Sequence, residues 1–150
     1  MKIKRLFTIE GEGPYKSLEF ETRTSVIRNP DGSVVSEWEN VSVPKHWSQV
    51  ATDIMAQKYF RKAGIPKHLK PAKEKGIPSW LQPSLPDKVE SDKEKNRNDS
   101  VLLESTVSET DAREVFHRMA GCWTYWGYKY NYFDTEEDAL AFYDELCHML

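Results

Sequence analysis

The sequence has little cysteine, no long apolar run and no excess of positive charge. Two cysteines are too few for a disulfide framework, and no run reaches the roughly 18 apolar residues of a membrane span. A net charge of −3, with no dominant Lys/Arg face, argues against a general nucleic-acid binder. No secretory apolar region follows Met1. These absences predict a cytoplasmic protein with reduced thiols and no direct contact with membranes or nucleic acid.

Alternating apolar and polar residues open the regular part of the chain. Between Leu18 and Arg28 every second side chain falls on one face, which is typical of a strand with one covered side. The run Asn29–Gly32 is a strong turn signal, because its proline presets φ and its glycine accepts positive φ. Residues 34–43 therefore predict the returning strand of a β-hairpin. A looser alternation over residues 2–9 predicts an edge strand.

Helical periodicity is strongest over residues 44–64. Apolar residues recur there at helical spacing and form one stripe. Pro44 and Ser48 offer start signals, and Gly64 is placed to close the helix in the left-handed conformation. The sequence therefore predicts a first helix over 44–64 that directly follows the hairpin.

Two further helices are predicted near the end of the chain. A capping box formed by Ser108 with Asp111, or by Thr106 with Glu109, starts a helix that runs to Trp123. Another starts at Asp134 or Thr135 and reaches Leu150. Because each predicted helix carries one apolar stripe, we expect all three to share a core. The residues nearest its centre would be Ile54, Phe116 and Phe142.

Residues 65–107 have a different composition. They hold five of the eight prolines and several charge runs, which predicts a flexible insertion with an irregular clip around Trp80, Leu81 and Leu85. The chain thus divides into a hairpin region (1–43), a helix (44–64), the insertion (65–107) and a helical region (108–150). Leu150 lies on an apolar stripe with no helix cap, so we expect a segment truncated from a longer protein.

Two histidines and both cysteines suggest a metal site, formed by His117, Cys122, Cys147 and His148. Structural zinc ligands come in pairs two to four residues apart, and adjacent Cys147 and His148 cannot easily point at one ion. Cys122 as a nucleophile would need a base, but His117 is five residues away on the same helix. We therefore expect two buried structural thiols, no metal and no catalytic residue in this chain.

An aromatic run and an acidic cluster are the other candidates. Trp123 to Phe133 holds seven aromatic residues in eleven positions. These rings could pack at a domain interface, contact a planar cofactor or subunit, or stack on nucleic-acid bases, in decreasing order of preference. Asp134, Glu136, Glu137 and Asp138 could form a carboxylate site, although acidic residues are expected in the first turn of any helix.

Three blocks of the sequence resemble the N-terminal region of the adenosylcobalamin-dependent (class II) ribonucleotide reductases. They are Phe20–Val35, Val43–Gly64 and Val115–Gly127, and the tail Tyr132–Cys147 resembles the same proteins. The similarity covers nearly all of the chain outside residues 65–107.

The resemblance implies an α+β fold, in which the β-hairpin and a cap of about three helices pack on the α/β barrel of a parent enzyme. It implies thiyl-radical reduction of ribonucleotides to deoxyribonucleotides, which supplies DNA precursors, with adenosylcobalamin bound mainly outside this segment. The implied partners are the rest of the barrel, ribonucleoside diphosphates and nucleotide effectors reached through the parent, and a second copy in a homodimer. The family's catalytic cysteines and carboxylate lie downstream of Leu150, so cofactor-binding residues stay unassigned. The competing hypothesis is a stand-alone, non-catalytic interaction or regulatory module.

Overall fold

The predicted β-hairpin is present. In the computed structural model, which describes residues 1–87 and 106–150, β1 (Phe20–Arg28) pairs antiparallel with β2 (Val34–Pro44). The Gly32 amide donates a 2.9 Å hydrogen bond to the Asn29 carbonyl, and Gly32 has a φ of 85°. The turn residues therefore act as their sequence predicts, and the strands pair from Arg28 opposite Val34 to Phe20 opposite Pro44, with register shifts between Ile27 and Arg28 and between Arg23 and Ser25.

The helix that follows is shorter than the predicted 44–64. Helix α1 spans Gln49–Ile54, capped by Ser48, and continues as a π-helical turn over Met55–Tyr59. Residues before Ser48 stay outside the helix because Arg23 holds their carbonyls, donating 2.9 Å and 2.7 Å hydrogen bonds to Lys45 and Trp47. Phe60 has an extended conformation, so Gly64 does not close this helix even though its φ is positive.

The hydrophobic core differs from the predicted three-helix centre. It combines two hairpin residues with the π-helical turn and the start of the next helix, through Val41, Val43, Met55, Ala56, Phe60, Ala112, Val115 and Phe116. The prediction for Phe116 is confirmed, since only 4% of it is exposed. It is wrong for Ile54, which is half exposed, and for Phe142, which packs 5.3 Å from the Phe133 ring instead.

Helix α2 (Ala112–Lys129) starts and ends later than predicted. Its N-cap is Asp111, which accepts from the Arg113 amide, while Glu114 completes the capping box. The observed capping box is therefore Asp111 with Glu114, which starts three residues after the predicted pair Ser108 with Asp111. At its other end α2 continues through Gly121 and Gly127 and takes up half of the aromatic run.

Helix α3 (Glu136–Met149) begins after Thr135, as predicted, and the Thr135 hydroxyl accepts from the Asp138 amide. It packs on α2 and buries Ala139 and Cys147 of the predicted stripe. Asp144 and Glu145 are buried as well. Residues 2–9 form no strand, so the predicted edge strand is wrong; instead this segment binds the acidic side chains of α3.

The described residues 61–87 and 106–109 belong to a compact unit separate from 1–60 and 110–150. In its described part, β3 (Ile65–Pro66) pairs with β6 (Thr106–Val107), and β4 (Leu69–Pro71) with β5 (Ser84–Pro86). Leu81 is buried, as the predicted clip requires, whereas Leu85 is exposed. Short paired strands therefore lie within residues 65–86, and the flexibility of the insertion stays a prediction. The charged part of that prediction, residues 88–105, lies outside the described residues.

Candidate functional site

The predicted cysteine and histidine candidates are placed in different surroundings. Cys147 is buried, but α2 turns Cys122 to the surface, so the expectation of two buried thiols is wrong for Cys122. Nδ1 of His117 shares a 2.7 Å hydrogen bond with the Tyr143 hydroxyl, and His148 lies 3.0 Å from the Pro14 carbonyl. Across residues 1–87 and 106–150, no three His, Cys, Asp or Glu side chains form a group that could hold a metal ion.

Cys147 lies between two phenols. Burial raises the pKa of the Cys147 thiol, and interactions with the Tyr15 and Tyr143 hydroxyls only partly offset that rise. Burial also raises the pKa of both tyrosines above their usual value. The Tyr15 hydroxyl has no hydrogen-bond partner of standard geometry within the described part of the chain. A protonated thiol among protonated phenols is a packing group, because a nucleophile requires the thiolate.

The acidic residues of α3 bind the N-terminal segment. The Ile3 amide donates to Asp138 over 2.8 Å, and the terminal ammonium group of Met1 contacts Asp134. Further along, the Thr8 amide and hydroxyl donate to Glu145 over 2.8 Å and 2.7 Å. We call residues 1–9 the N-terminal strap. Of the predicted carboxylate cluster, Asp134 and Asp138 thus bind the strap. Sequence reasoning missed Asp144 and Glu145, two buried carboxylates further along α3 that also bind it.

The aromatic run forms an open groove rather than a buried layer. We call it the aromatic groove; its volume is about 500 Å³ and it is lined by Met1, Trp123, Trp126, Gly127, Tyr130, Tyr132, Phe133 and Phe142. More than half of Trp126, Tyr130 and Tyr132 is exposed. The described part of the chain therefore buries none of these three rings, and their packing at a domain interface stays a prediction with which this exposure is compatible.

A second apolar groove lies beside α1. We call it the helix groove; its volume is about 350 Å³ and it is lined by Trp47, Ala51, Ile54, Met55, Tyr59, Val115, Phe116, Met119 and Leu150. Its floor belongs to the hydrophobic core, through Met55, Val115 and Phe116. Its rim carries the exposed side chains of Ile54 and Tyr59. The described side chains that line this groove carry no charge, which favours an apolar occupant.

Comparison with known proteins relates the sequence of this chain to one enzyme family. A family model for class II vitamin B12-dependent ribonucleotide reductase matches residues 21–150. The chain belongs to that family. Reductases of that name from Bradyrhizobium diazoefficiens and Agrobacterium fabrum are 51% and 52% identical to it over all 150 residues. A more distant one, from Streptomyces clavuligerus, is 41% identical over 69 residues, which are 45% of this chain and 7% of the relative.

The chain corresponds to an N-terminal segment of the reductase. It spans only 12% of the Bradyrhizobium protein and 11% of the Agrobacterium protein. No helix in the described ranges has both the length and the apolar character needed to cross a membrane.

Neither groove fits the cobalamin that the family name implies. Cobalamin is a large corrin with amide side chains around its rim, and these need many hydrogen-bonding partners. The aromatic groove, at about 500 Å³, has the size for a drug-sized ligand, and its side chains offer only indole and phenol groups. The helix groove is smaller and has one indole and one phenol. No cofactor-binding residue is therefore assigned in the described part of this reductase segment.

Proposed function

We propose that this chain is the N-terminal structural region of an adenosylcobalamin-dependent ribonucleotide reductase and packs against the catalytic barrel of the same polypeptide. The supporting observation is the match to reductases over the whole chain, combined with a coverage of only 11–12% of their length. The two open apolar grooves agree with this role, because a surface that a parent protein covers is apolar when exposed alone.

The proposal assigns ribonucleotide reduction to the parent enzyme. Adenosylcobalamin, when bound there, supplies the radical that starts reduction of ribonucleoside diphosphates to DNA precursors. The parent binds its substrates and nucleotide effectors in the cytoplasm and forms a homodimer. The catalytic cysteines and carboxylate belong to the part of the parent enzyme outside this segment. Residues 1–150 form a folded cap on its barrel and provide surfaces that contact the barrel.

The chemistry of this chain's own thiols supports a non-catalytic role. Cys147 is buried and has a raised pKa, so little thiolate forms at neutral pH. Cys122 is exposed on α2, and its nearest histidine in sequence, His117, is already hydrogen-bonded to Tyr143. Neither cysteine therefore has the activated environment that a redox-active thiol requires.

An activity comparison tests the proposal. Residues 1–150, the full-length protein, and the full-length protein lacking 1–150 are each assayed with adenosylcobalamin, a dithiol and every ribonucleotide. We expect deoxyribonucleotide from the full-length protein only, and no product from 1–150 above the protein-free background. Product from 1–150 alone, or none from the full-length protein, would overturn the proposal.

A second function is favoured by the exposed aromatic groove, since such a surface also suits a separate interaction or regulatory module. The coding sequence beyond Leu150 distinguishes the two functions. An in-frame continuation containing cysteine motifs supports the reductase region. A stop codon, together with binding of 1–150 to a separately encoded reductase, supports the module.

A further inference from the structure

Helix α2 ends in a cap that shapes one wall of the aromatic groove. The Asn131 amide donates a 3.1 Å hydrogen bond to the Tyr128 carbonyl, and the Tyr132 amide donates one of 2.9 Å to the Gly127 carbonyl. Asn131 itself is left-handed, with a φ of 57°. Two such hydrogen bonds around a left-handed residue form the Schellman motif. The motif turns the chain back, so that Tyr132 lines the aromatic groove together with the last turns of α2.

The floor of the aromatic groove is fixed as well. The ring centroids of Phe133 and Phe142 are 5.3 Å apart, and the Phe133 ring fills the space in which a Cβ atom of residue 127 would lie. Lys129, the cation of the last turn, donates a 2.8 Å hydrogen bond to the Tyr125 hydroxyl and does not line the groove. Because wall and floor are already ordered, binding at this surface carries a smaller entropic cost.

The aromatic groove is too open to enclose a small ligand. Trp123, Trp126, Tyr130 and Tyr132 are 43%, 52%, 67% and 64% exposed, whereas a small-molecule site covers most of its ligand. These four rings leave roughly 350–550 Å² of side-chain surface uncovered. That is about half of the ~800 Å² that each partner contributes to a standard protein interface. Tryptophan and tyrosine also contribute most to binding in such interfaces, so the groove suits a protein surface.

The charge of the groove indicates which protein surface fits. In a two-fold symmetric contact a patch meets its own copy, so a patch of one charge sign repels itself. The described side chains that line the aromatic groove carry no charge, although the chain as a whole has a net charge of −3. The first turn of α3, by contrast, holds the exposed carboxylates of Glu136 and Glu137. Two copies of this acidic chain can therefore meet at the aromatic groove without opposing like charges.

The shape of the aromatic groove is also compatible with itself. Two-fold contact requires that the same surface offers both a recess and the group that fills it. Gly127 lines the groove without a side chain, and the exposed rings of Trp126 and Tyr130 lie beside it. The helix groove has an uncharged lining too, but of its aromatic rings only Tyr59 is more than half exposed. The aromatic groove therefore offers the larger aromatic surface to a second copy.

We propose that two copies of the parent reductase contact each other through their aromatic grooves, with the exposed rings of each copy seated in the groove of the other. This inference rests on the proposed function, because it assigns a surface to the homodimer of the parent enzyme. The N-terminal region then contributes to subunit assembly in addition to capping the barrel.

Photo-cross-linking in the full-length protein tests the inference. The variant Trp126→p-benzoylphenylalanine places a photoreactive ring in the aromatic groove, and copies labelled with heavy nitrogen are mixed with unlabelled ones. The matched control is Tyr59→p-benzoylphenylalanine in the helix groove, where the natural side chain is also 52% exposed. We expect only the probe at position 126 to link labelled to unlabelled copies, at residues 123–133 of the second copy. Cross-links from position 126 to the barrel of the same copy, to a different protein, or to nothing would overturn the inference.

A charge substitution gives an independent measurement. Tyr130→Asp in the full-length protein removes an aromatic contact and opposes two carboxylates across the dimer, so we expect its dissociation constant to rise about tenfold or more. Tyr59→Asp should leave the dissociation constant unchanged. Both positions are more than half exposed, so neither change should unfold the chain. Sedimentation equilibrium measures both variants, and equal dissociation constants would contradict the inference.

The reductase activity of the unsubstituted full-length protein is measured separately. An active enzyme without the cross-link between copies would overturn this inference and leave the proposed function standing. An inactive enzyme that still forms the cross-link would overturn the proposed function and leave the contact between copies standing.

Discussion

The Arg5 guanidinium donates a 2.6 Å hydrogen bond to the Asp144 carboxylate and joins positions that are 139 residues apart in sequence. The Asp144 side chain is only 7% exposed and that of Arg5 17% exposed. Arg5 also donates to the Thr8 hydroxyl, whose own proton goes to Glu145. The N-terminal strap is therefore held on α3 by connected, largely buried polar groups rather than by apolar packing.

Arg5→Ala should destabilise the chain by about 2–3 kcal/mol. The substitution leaves the Asp144 carboxylate buried without its partner, and breaking a fully buried pair costs about 3–5 kcal/mol. Because the Arg5 side chain is still 17% exposed, we expect a destabilisation below that range. Lys45→Ala is the control, because its partner Glu19 is exposed and such pairs contribute below about 1 kcal/mol. Urea unfolding measures both, and equal losses would show that the strap does not depend on this ion pair.

The strap should also weaken in acid. Burial alone would raise the pKa of Glu145, but hydrogen bonds from Thr8 and Phe7 outweigh it and lower the pKa. Because the folded form has the lower pKa, the unfolded chain takes up protons first as the pH falls below the usual glutamate value of about 4.3. This stabilisation is complete at neutral pH and is lost as the pH falls through the folded pKa.

Glu145→Gln provides the corresponding measurement. It removes the charge at nearly constant size, so the free energy of unfolding should be lower at pH 7 and depend less on pH between about 5 and 3 than in the unsubstituted chain. Parallel pH profiles for the two proteins would show that Glu145 does not carry this dependence.

Phe116→Ala should cost about 3–5 kcal/mol in the 150-residue chain, because the ring is buried and its removal leaves a cavity. Ile54→Ala should cost only about 1 kcal/mol in the same chain, since Ile54 is half exposed. The two unfolding midpoints are compared in urea. A larger loss of unfolding free energy for Ile54→Ala than for Phe116→Ala would instead support the three-helix core that periodicity predicts.

Features set by neighbouring residues were predictable from sequence. The hairpin turn depends on Asn29 to Gly32, and the start of α3 on Thr135 with the acidic turn after it. In both cases the deciding hydrogen bonds join residues within four positions, so local side-chain chemistry determines the structure.

Features set by distant partners were not predictable. The start of α1 is delayed by Arg23, which is more than twenty residues away, and residues 2–9 bind α3 across more than 130 positions. Periodicity also assumes a constant helical phase, which the π-helical turn breaks at Met55. The composition of the aromatic run also did not show that α2 continues through Gly127 to Lys129.

Gly127→Ala should destabilise the chain even though alanine is the better helix former. A Cβ atom at position 127 would lie 2.6 Å from Cε2 of Phe133, so the ring must shift, which disturbs its contact with Phe142 and reshapes the aromatic groove. Gly121→Ala is the matched control in the same helix, because its Cβ would meet only His117 Cε1 at an ordinary 3.9 Å. We expect Gly121→Ala to raise the free energy of unfolding by up to about 1 kcal/mol, and Gly127→Ala to lower it. The tryptophan fluorescence of the chain, to which Trp126 contributes, should shift only in the Gly127 variant. Stabilisation by both substitutions would mean that Phe133 does not occupy the space beside Gly127.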